Sequence, residues 1–257
     1  MANTLFDLTG KVAVITGSTR GIGRAIAEAM ARAGAKVVIS SRKPDKCAEV
    51  ADAIKSEGCE ATPIACNIGK REDLERLVAG TRECYGRIDI LVCNAAVNPY
   101  FGPMAQAPDE AFAKIMDSNV RSTLWLCNMV IPEMAARRDG SVIIVSSIGG
   151  LKGSSMLGIY GISKAADMQL ARNLAVEWGH SNIRANCIAP GLVRTDFARA
   201  LWEDPKTLAR AEAAYPLGRI GEPEEIAGMA VLLASRAGNW ITGQTMVIDG
   251  GATIGGG

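Results

Sequence analysis

Lys11-Val12-Ala13-Val14-Ile15-Thr16-Gly17-Ser18-Thr19-Arg20-Gly21-Ile22-Gly23 joins an apolar run to a glycine-rich turn and then to a helical pattern. Lys11 to Thr16 predicts a strand. Ile22, Ala25, Ile26, Ala29 and Met30 recur as one face of a helix over Gly21 to Arg32. Glycine at positions 17, 21 and 23 permits a tight turn and lets backbone approach a pyrophosphate closely, and the helix start supplies oriented N–H groups. The spacing is GxxxGxG, not the GxGxxG of the common dinucleotide fingerprint. A structural β–α turn has the same composition. The pattern gains weight from its place, after the first strand and opening a helix.

The alternation continues outward from this turn. Lys36 to Ser40, Ala61 to Ile68, Asp89 to Asn94, Ser141 to Ser146, Ile183 to Ile188 and Gln244 to Ile248 predict strands. Asp45 to Ser56, Glu72 to Cys84, Asp109 to Ala136, Ile159 to Trp178, Thr195 to Ala214 and Pro223 to Ala234 predict helices. Strands apolar on both faces and alternating with helices imply a parallel sheet covered on both sides. Right-handed crossovers then lead to an α/β fold, a Rossmann-like doubly wound parallel sheet with helices on both faces. No linker, charge run or repeat divides the chain. Residues 1–257 are therefore expected to form a single dinucleotide-binding and catalytic domain, with a substrate lid around 192–216. The tail Gly255 to Gly257 is expected to fray.

Composition narrows the function classes. The chain has 28 Lys+Arg against 27 Asp+Glu, a formal net charge of +1, and no basic block. Nucleic acid is therefore not an expected partner. Apolar runs such as Val142 to Val145 are far too short to span a membrane. Neither a basic-then-apolar leader nor a peroxisomal or retention signal stands at the ends, so the cytoplasm is the expected compartment. Cys47, Cys59, Cys66, Cys84, Cys93, Cys127 and Cys187 form no CxxC pair, and an odd count in apolar stretches suggests reduced, buried thiols. His180 is the one histidine, with no ligands spaced around it; it reads as a surface residue, and no metal site is expected.

Tyr160 and Lys164 are four apart in a helical segment, so they share a face. A neighbouring ammonium favours phenolate, and such a tyrosine can give a proton to a carbonyl oxygen or take one from an alcohol. Alone, this pair could be a surface accident. Ser147, at a strand end thirteen residues upstream, argues against that. No Ser-His-Asp arrangement is available with a plausible histidine, so Ser147 is not read as a hydrolase nucleophile. The second strand ends in Ser41-Arg42-Lys43, with no carboxylate before Asp45. With Arg20 these cations make a plausible 2′-phosphate clamp and point to NADP(H); a solvated basic loop end is the other reading.

Taken in order, these motifs resemble the short-chain dehydrogenase/reductase family. The match rests on Thr16-Gly17 to Gly23, Asn94-Ala95-Ala96, Ser147, Tyr160 to Lys164, Pro190-Gly191 and Asp249-Gly250-Gly251, and it spans Lys11 to Gly251. The resemblance implies that Ser147 hydrogen-bonds the substrate oxygen. It implies that Lys164 also holds the nicotinamide ribose and that Asn119 supports a proton path to that lysine, although a buried asparagine can also be structural. It places Gly17, Ser18, Arg20, Gly21, Ile22, Gly23, Ser41, Arg42, Lys43, Asn67, Ile68, Asn94, Ala95, Tyr160, Lys164, Pro190, Gly191, Val193 and Thr195 at the cofactor. Asn67 stands where many relatives have an aspartate for the adenine amino group; its amide oxygen can still accept.

Asn98 to Gly102, Leu201-Trp202 and the Ser-Ser-Arg-Lys corner resemble the tetrameric NADP-dependent carbonyl and retinal reductases of the dehydrogenase/reductase member 4 type. A homotetramer acting on a small-molecule carbonyl or alcohol is what that resemblance implies. It would pair through the helices Asp109 to Ala136 and Ile159 to Trp178, and through Trp240 to Thr253. Phe197, Leu201, Trp202 and Tyr215 could line an apolar pocket or pack the lid. A 3-oxoacyl-[acyl-carrier-protein] reductase shares the general motifs; Arg121, Arg172 and Arg194 could serve its partner or be solvated surface. A catalytically silent nucleotide-sensing interaction protein is the reading from another class, and the intact Asn119, Ser147, Tyr160 and Lys164 argue against it.

Overall fold

A computed structural model describes residues 5–255. Of the tail expected to fray, Gly256 and Gly257 lie outside the described residues.

Seven strands run parallel in the order β3-β2-β1-β4-β5-β6-β7. They are β1 (Val12–Thr16), β2 (Lys36–Ser40), β3 (Ala61–Pro63), β4 (Ile90–Cys93), β5 (Gly140–Val145), β6 (Ile183–Pro190) and β7 (Thr245–Ile248). The order reverses between β1 and β4, the switch point where open parallel sheets bind ligands beyond the strands' carboxyl ends. This is the expected Rossmann-like doubly wound sheet.

Strand alternation separates two cores. Ala13, Ile15, Val37, Ile39, Ile90, Val92, Ile143 and Val145 pack on one face with α1 (Gly21–Arg32), α2 (Pro44–Ser56) and Pro223–Ala234. Val14, Val38, Leu91, Cys93, Val142, Ile144, Ala185 and Cys187 face α3 (Arg71–Tyr85), Ser122–Arg137 and Gly158–Trp178 on the other. Burial of each large aliphatic side chain stabilises by about 1.5–3 kcal/mol. The sheet is therefore a rigid plate, and its upper edge holds the site in place.

Three expected elements differ. The stretch Ala61 to Ile68 is a strand only to Pro63. Beyond it the chain stays beside β2 through Ile64 N–Ile39 O and Cys66 N–Ser41 O, both 2.9 Å. Asp109 to Ala136 is not one α-helix. It is α4 (Asp109–Met116), a π turn (Asp117–Arg121) and α5 (Ser122–Arg137). The Ser122 and Thr123 hydroxyls donate to the Ser118 and Asn119 carbonyls at 2.6 and 2.9 Å, where the α ladder is interrupted. Thr195 to Ala214 is likewise divided, after the long helix α6 (Gly158–Trp178), into a short 3₁₀ turn (Asp196–Ala198), α7 (Arg199–Trp202) and α8 (Pro205–Ala213). Asp204 caps α8 by accepting from Thr207 N at 2.8 Å, and Pro205 occupies its first turn. The last helix is α9 (Pro223–Ala234).

All seven cysteines are free thiols; five are buried, Cys59 is partly so, and Cys84 is exposed, contrary to the all-buried expectation. His180 is exposed, as expected. Among the described residues no helix is long and apolar enough to cross a membrane, and no cluster of metal-ligating side chains forms.

Candidate active site

The turn after β1 is built from the inside. Ser18 is fully buried; its hydroxyl donates to Ile15 O at 2.7 Å and accepts from Ser40 N at 2.8 Å, tying the turn to β2. The Thr16 hydroxyl accepts from Asn94 N at 3.0 Å and Ala95 N at 3.1 Å. Asn94 Nδ2 returns a bond to Thr16 O at 2.9 Å. Gly17 and Gly21 have φ of +67° and +53°, a conformation that L side chains rarely adopt. A Cβ on Gly23 would overlap Gly17 O and Asn94 Nδ2. At the start of α1, Arg20 provides no side-chain cap and the first turn has no acidic residue. The first N–H groups of a helix have no carbonyl of their own helix to bond, and with no side-chain cap on them here they suit an anion. Thr195 closes the other side, with its Cγ2 at 3.0 Å from where a Gly21 Cβ would stand.

Ser147, just past the end of β5, and Tyr160, on α6, come together beside Gly149. A Cβ there would stand 3.4 Å from Ser147 Oγ and 3.8 Å from Tyr160 Cε1. Ser147 Oγ accepts from Gly149 N at 3.0 Å, which fixes the hydroxyl beside the phenol. Lys164 Nζ lies 5.7 Å from the Tyr160 ring centre and donates to Val145 O at 3.0 Å. Asn119 sits in the π turn. Its Oδ1 accepts from Val97 N at 2.9 Å, and its Nδ2 donates to Val97 O and Ser163 Oγ, both at 3.1 Å. The amide thus links the loop after β4 to α6.

The sequence reading missed Asp167. It is 1% exposed, and its Oδ2 accepts from Lys164 Nζ at 2.9 Å. Its position three residues after Lys164, among apolar residues of a buried helix face, was the available signal. It alters the electrostatics. Burial pushes the Tyr160 phenol up; the Lys164 ammonium and the Ser147 hydroxyl pull it down, while the Asp167 carboxylate opposes them. The net direction is upward, against the expectation of a lowered value. Burial also works against the Lys164 ammonium, yet Asp167 and Tyr160 hold its pKa above the ordinary lysine value.

At the β2 corner, Ser41 is half-buried against Cys47, with Ser41 N 3.1 Å from Cys47 Sγ. Arg42 and Lys43 are exposed, and among the described residues they form no ion pair. Arg20 reaches Asp196 across the cleft at 3.4 Å. Asn67 Oδ1 accepts from Gly69 N at 3.1 Å, leaving one lone pair, with Ile68 beside it half-buried. Pro190 ends β6, and a Cβ on Gly191 would sit 2.9 Å from Asp249 Cα. Val193 is buried and bridges to Gly221. Beyond them Phe197 stands 6.1 Å from the Tyr160 ring. Trp202 Nε1 donates to Thr195 O at 2.9 Å, and the Tyr215 hydroxyl accepts from Leu192 N at 2.8 Å. Thus Phe197 lies beside Tyr160, whereas Trp202 and Tyr215 tie the segment to itself.

Comparison with known proteins bears on the same elements. The family model described as enoyl-(acyl carrier protein) reductase matches residues 17–253. Dehydrogenase/reductase SDR family member 4 of Bos taurus is 47% identical over 245 residues, covering 95% of this chain and 88% of that one. Among solved structures, gluconate 5-dehydrogenase from Burkholderia cenocepacia J2315, in complex with NADP and tartrate, is 31% identical at a TM-score of 0.94. The alignment covers 98% of this chain and 99% of that one. A 7α-hydroxysteroid dehydrogenase complexed with NADH and 7-oxo glycochenodeoxycholic acid is 34% identical at a TM-score of 0.93, covering 98% and 97%. With nearly its whole length aligned on such relatives, the chain belongs to the short-chain dehydrogenase/reductase family of oxidoreductases, and within it to the dehydrogenase/reductase member 4 type.

Proposed function

We propose that this protein is an NADP(H)-dependent oxidoreductase that interconverts carbonyls and secondary alcohols, with Tyr160 as general acid and base. The observation that carries the reading is the grouping of Ser147 and Lys164 about Tyr160, with only β4 between their strand and the one that leads into the uncapped start of α1. The glycines at 17, 21 and 23 and the open N–H groups fit a pyrophosphate. The unpaired Arg42 and Lys43 fit a 2′-phosphate. When bound, the nicotinamide supplies the hydride.

The protein's own groups do the rest. Ser147 Oγ, oriented by Gly149 N, donates to the substrate oxygen and stabilises charge as it develops there. Tyr160 Oη gives its proton to that oxygen in reduction and takes it back in oxidation. Lys164, held by Val145 O and Asp167, stabilises the phenolate left behind. Residues 1–257 act as one dinucleotide-binding and catalytic domain, and 192–216 forms its lid. Phe197 supplies the apolar wall next to the reacting carbon. The substrate is a small carbonyl or alcohol, the compartment the cytoplasm, and the assembly a homotetramer. Exposed Ile162 and Val176 on α6, and Trp240 and Ile254 beyond α9, favour that assembly.

A panel of dicarbonyls, aromatic ketones and acyl thioesters, followed by NADPH oxidation, tests the activity. Turnover of ketones is expected. Tyr160→Phe should lower it by at least ~10²-fold while leaving cofactor binding in place. Near-normal turnover in that variant would refute the assignment. Preference for 3-oxoacyl thioesters would favour the 3-oxoacyl-[acyl-carrier-protein] reductase reading.

A further inference from the structure

Asp167 forms an enclosed charge pair that the activity above does not by itself require. It lies one turn beyond Lys164 on α6, and only its Oδ2 is bonded, to Lys164 Nζ at 2.9 Å. Its Oδ1 is buried without a hydrogen-bond partner. A buried carboxylate normally has both oxygens satisfied. Here the single ammonium compensates the charge, and that ammonium also serves Tyr160. Replacing a buried ion pair by apolar groups of similar volume is often neutral or stabilising. Fold stability is therefore a weak account of why it is there.

We propose that Asp167 is a positioning residue of the hydride-transfer site, anchoring the Lys164 ammonium and offsetting its charge at Tyr160, so that the site is set to donate a proton to a carbonyl. This rests on the reading of Tyr160 as the acid–base group. It adds a direction of reaction.

The surroundings isolate the pair. From β6, Cys187 Sγ donates to the Asp167 carbonyl at 3.3 Å. Cys93, at the end of β4, lies next to Cys127 and Thr123 of α5. Burial holds the Cys187 thiol well above its usual range, and the Cys127 contact and burial do the same for Cys93, so both are neutral. Arg172, two turns along α6, is exposed and bonded to Gln169. The charges within the enclosure are therefore Lys164 and Asp167. At 2.9 Å the two act on the phenol as a dipole, whose pull on a negative charge is much weaker than that of a lone ammonium. Burial raises the phenol, and Asp167 removes part of what would lower it. In reduction, Tyr160 gives its proton to the carbonyl oxygen; the phenolate then shares Lys164 with Asp167 until solvent returns a proton.

The test reads Tyr160 directly. Tyrosinate ultraviolet absorbance is titrated in the resting protein and in Tyr160→Phe. Subtraction cancels the other three of the four tyrosines. The same pair of curves is recorded with Asp167→Asn, which keeps shape and an acceptor for Lys164, and with Asp167→Leu. Loss of the carboxylate leaves the phenolate as the ammonium's partner. Tyr160 should then titrate at least about one pH unit lower in either variant, and the acid limb of alcohol oxidation should move the same way. Asp167→Glu should stay near the parent. An unmoved or higher titration in whichever neutral variant folds would overturn the proposal. So would loss of fold in both, seen by circular dichroism, since that marks a purely structural tether. The titration needs no substrate, so the two readings fail separately. A shifted phenol without turnover of any carbonyl sinks the activity and leaves the role of Asp167. Turnover with an unmoved phenol does the reverse.

Discussion

The glycine-rich turn and the segment 192–216 face each other across one cleft, and opposite means hold them. The turn is fastened by buried groups: the Ser18 hydroxyl between β1 and β2, the Thr16 hydroxyl under the loop after β4, and the Asn94 amide against two carbonyls. In the facing segment, α7 and α8 bury no residue. They are held by Trp202 on Thr195 O, by Arg194 stacked 5.2 Å over Trp202 and paired with Glu222 at 3.1 Å, and by the exposed Arg20–Asp196 pair. Exposed ion pairs contribute little, typically under about 1 kcal/mol. A pyrophosphate always has the same shape, so rigid donors suit it. Substrates differ in shape, and a segment near the low-stability end can change without disturbing the sheet.

The largest effect should come from the chemical end of the rigid side. If Arg42 and Lys43 each make a charge-assisted bond worth about 1.5–3 kcal/mol, the protein should prefer NADPH over NADH by ~10²-fold or more in kcat/KM. Arg42→Asp repels the phosphate, accepts from a 2′-hydroxyl and should reverse the order. Comparing both cofactors with both proteins checks this. A parent that favours NADH would show that the corner binds no phosphate, whereas a preference that survives Arg42→Asp moves the anchor to Arg20.

A smaller but structural loss is expected at Thr16. Thr16→Val keeps the shape and removes the acceptor of Asn94 N and Ala95 N, so two part-buried donors lose their partner at a cost of about 1 kcal/mol. Denaturant midpoints at constant slope measure it, and NADPH affinity should fall alongside. An unchanged midpoint would mean that the turn is no more firmly fastened than its neighbour. The smallest effect on the fold belongs to Trp202→Ala, within about 0.5 kcal/mol by the same measurement. Its mark should be on KM for the carbonyl rather than on cofactor binding. A large drop in global stability would erase the contrast between the two sides.

Legibility in the sequence follows the same division. Positions dictated by backbone geometry were readable: Gly17 and Gly21 demand positive φ, the strand end at Thr16 follows from an apolar run buried on both faces, and the ends expected at Ser146 and Ile188 fall within one or two residues of Val145 and Pro190. Tyr160 and Lys164 were readable because helical spacing puts them together. The π turn at Asp117–Arg121 was not. Ser118, Asn119, Ser122 and Thr123 keep the buried helical period, and only the three-dimensional bonding of Asn119 to Val97 and Ser163 shows the interruption. Asp204-Pro205 did carry a helix-start signal, which the longer apolar period over Thr195 to Ala214 masked. The early end of β3 falls at Pro63 on an edge strand that pairs with β2 alone; Ile64 N carries the next bond to Ile39 O, so the N–H that Pro63 lacks would face away from β2.

That same Pro63 makes the two margins of the sheet unequal. At one margin β3 is three residues long and ends in a residue that cannot donate; at the other, β7 runs Thr245–Ile248 with Val247 exposed. Strand addition is therefore possible at one margin and blocked at the other. Two copies meeting at their β7 margins use up both open sides and turn both blocked sides outward. Growth by this route would stop at a pair, with no open margin left to extend a fibre.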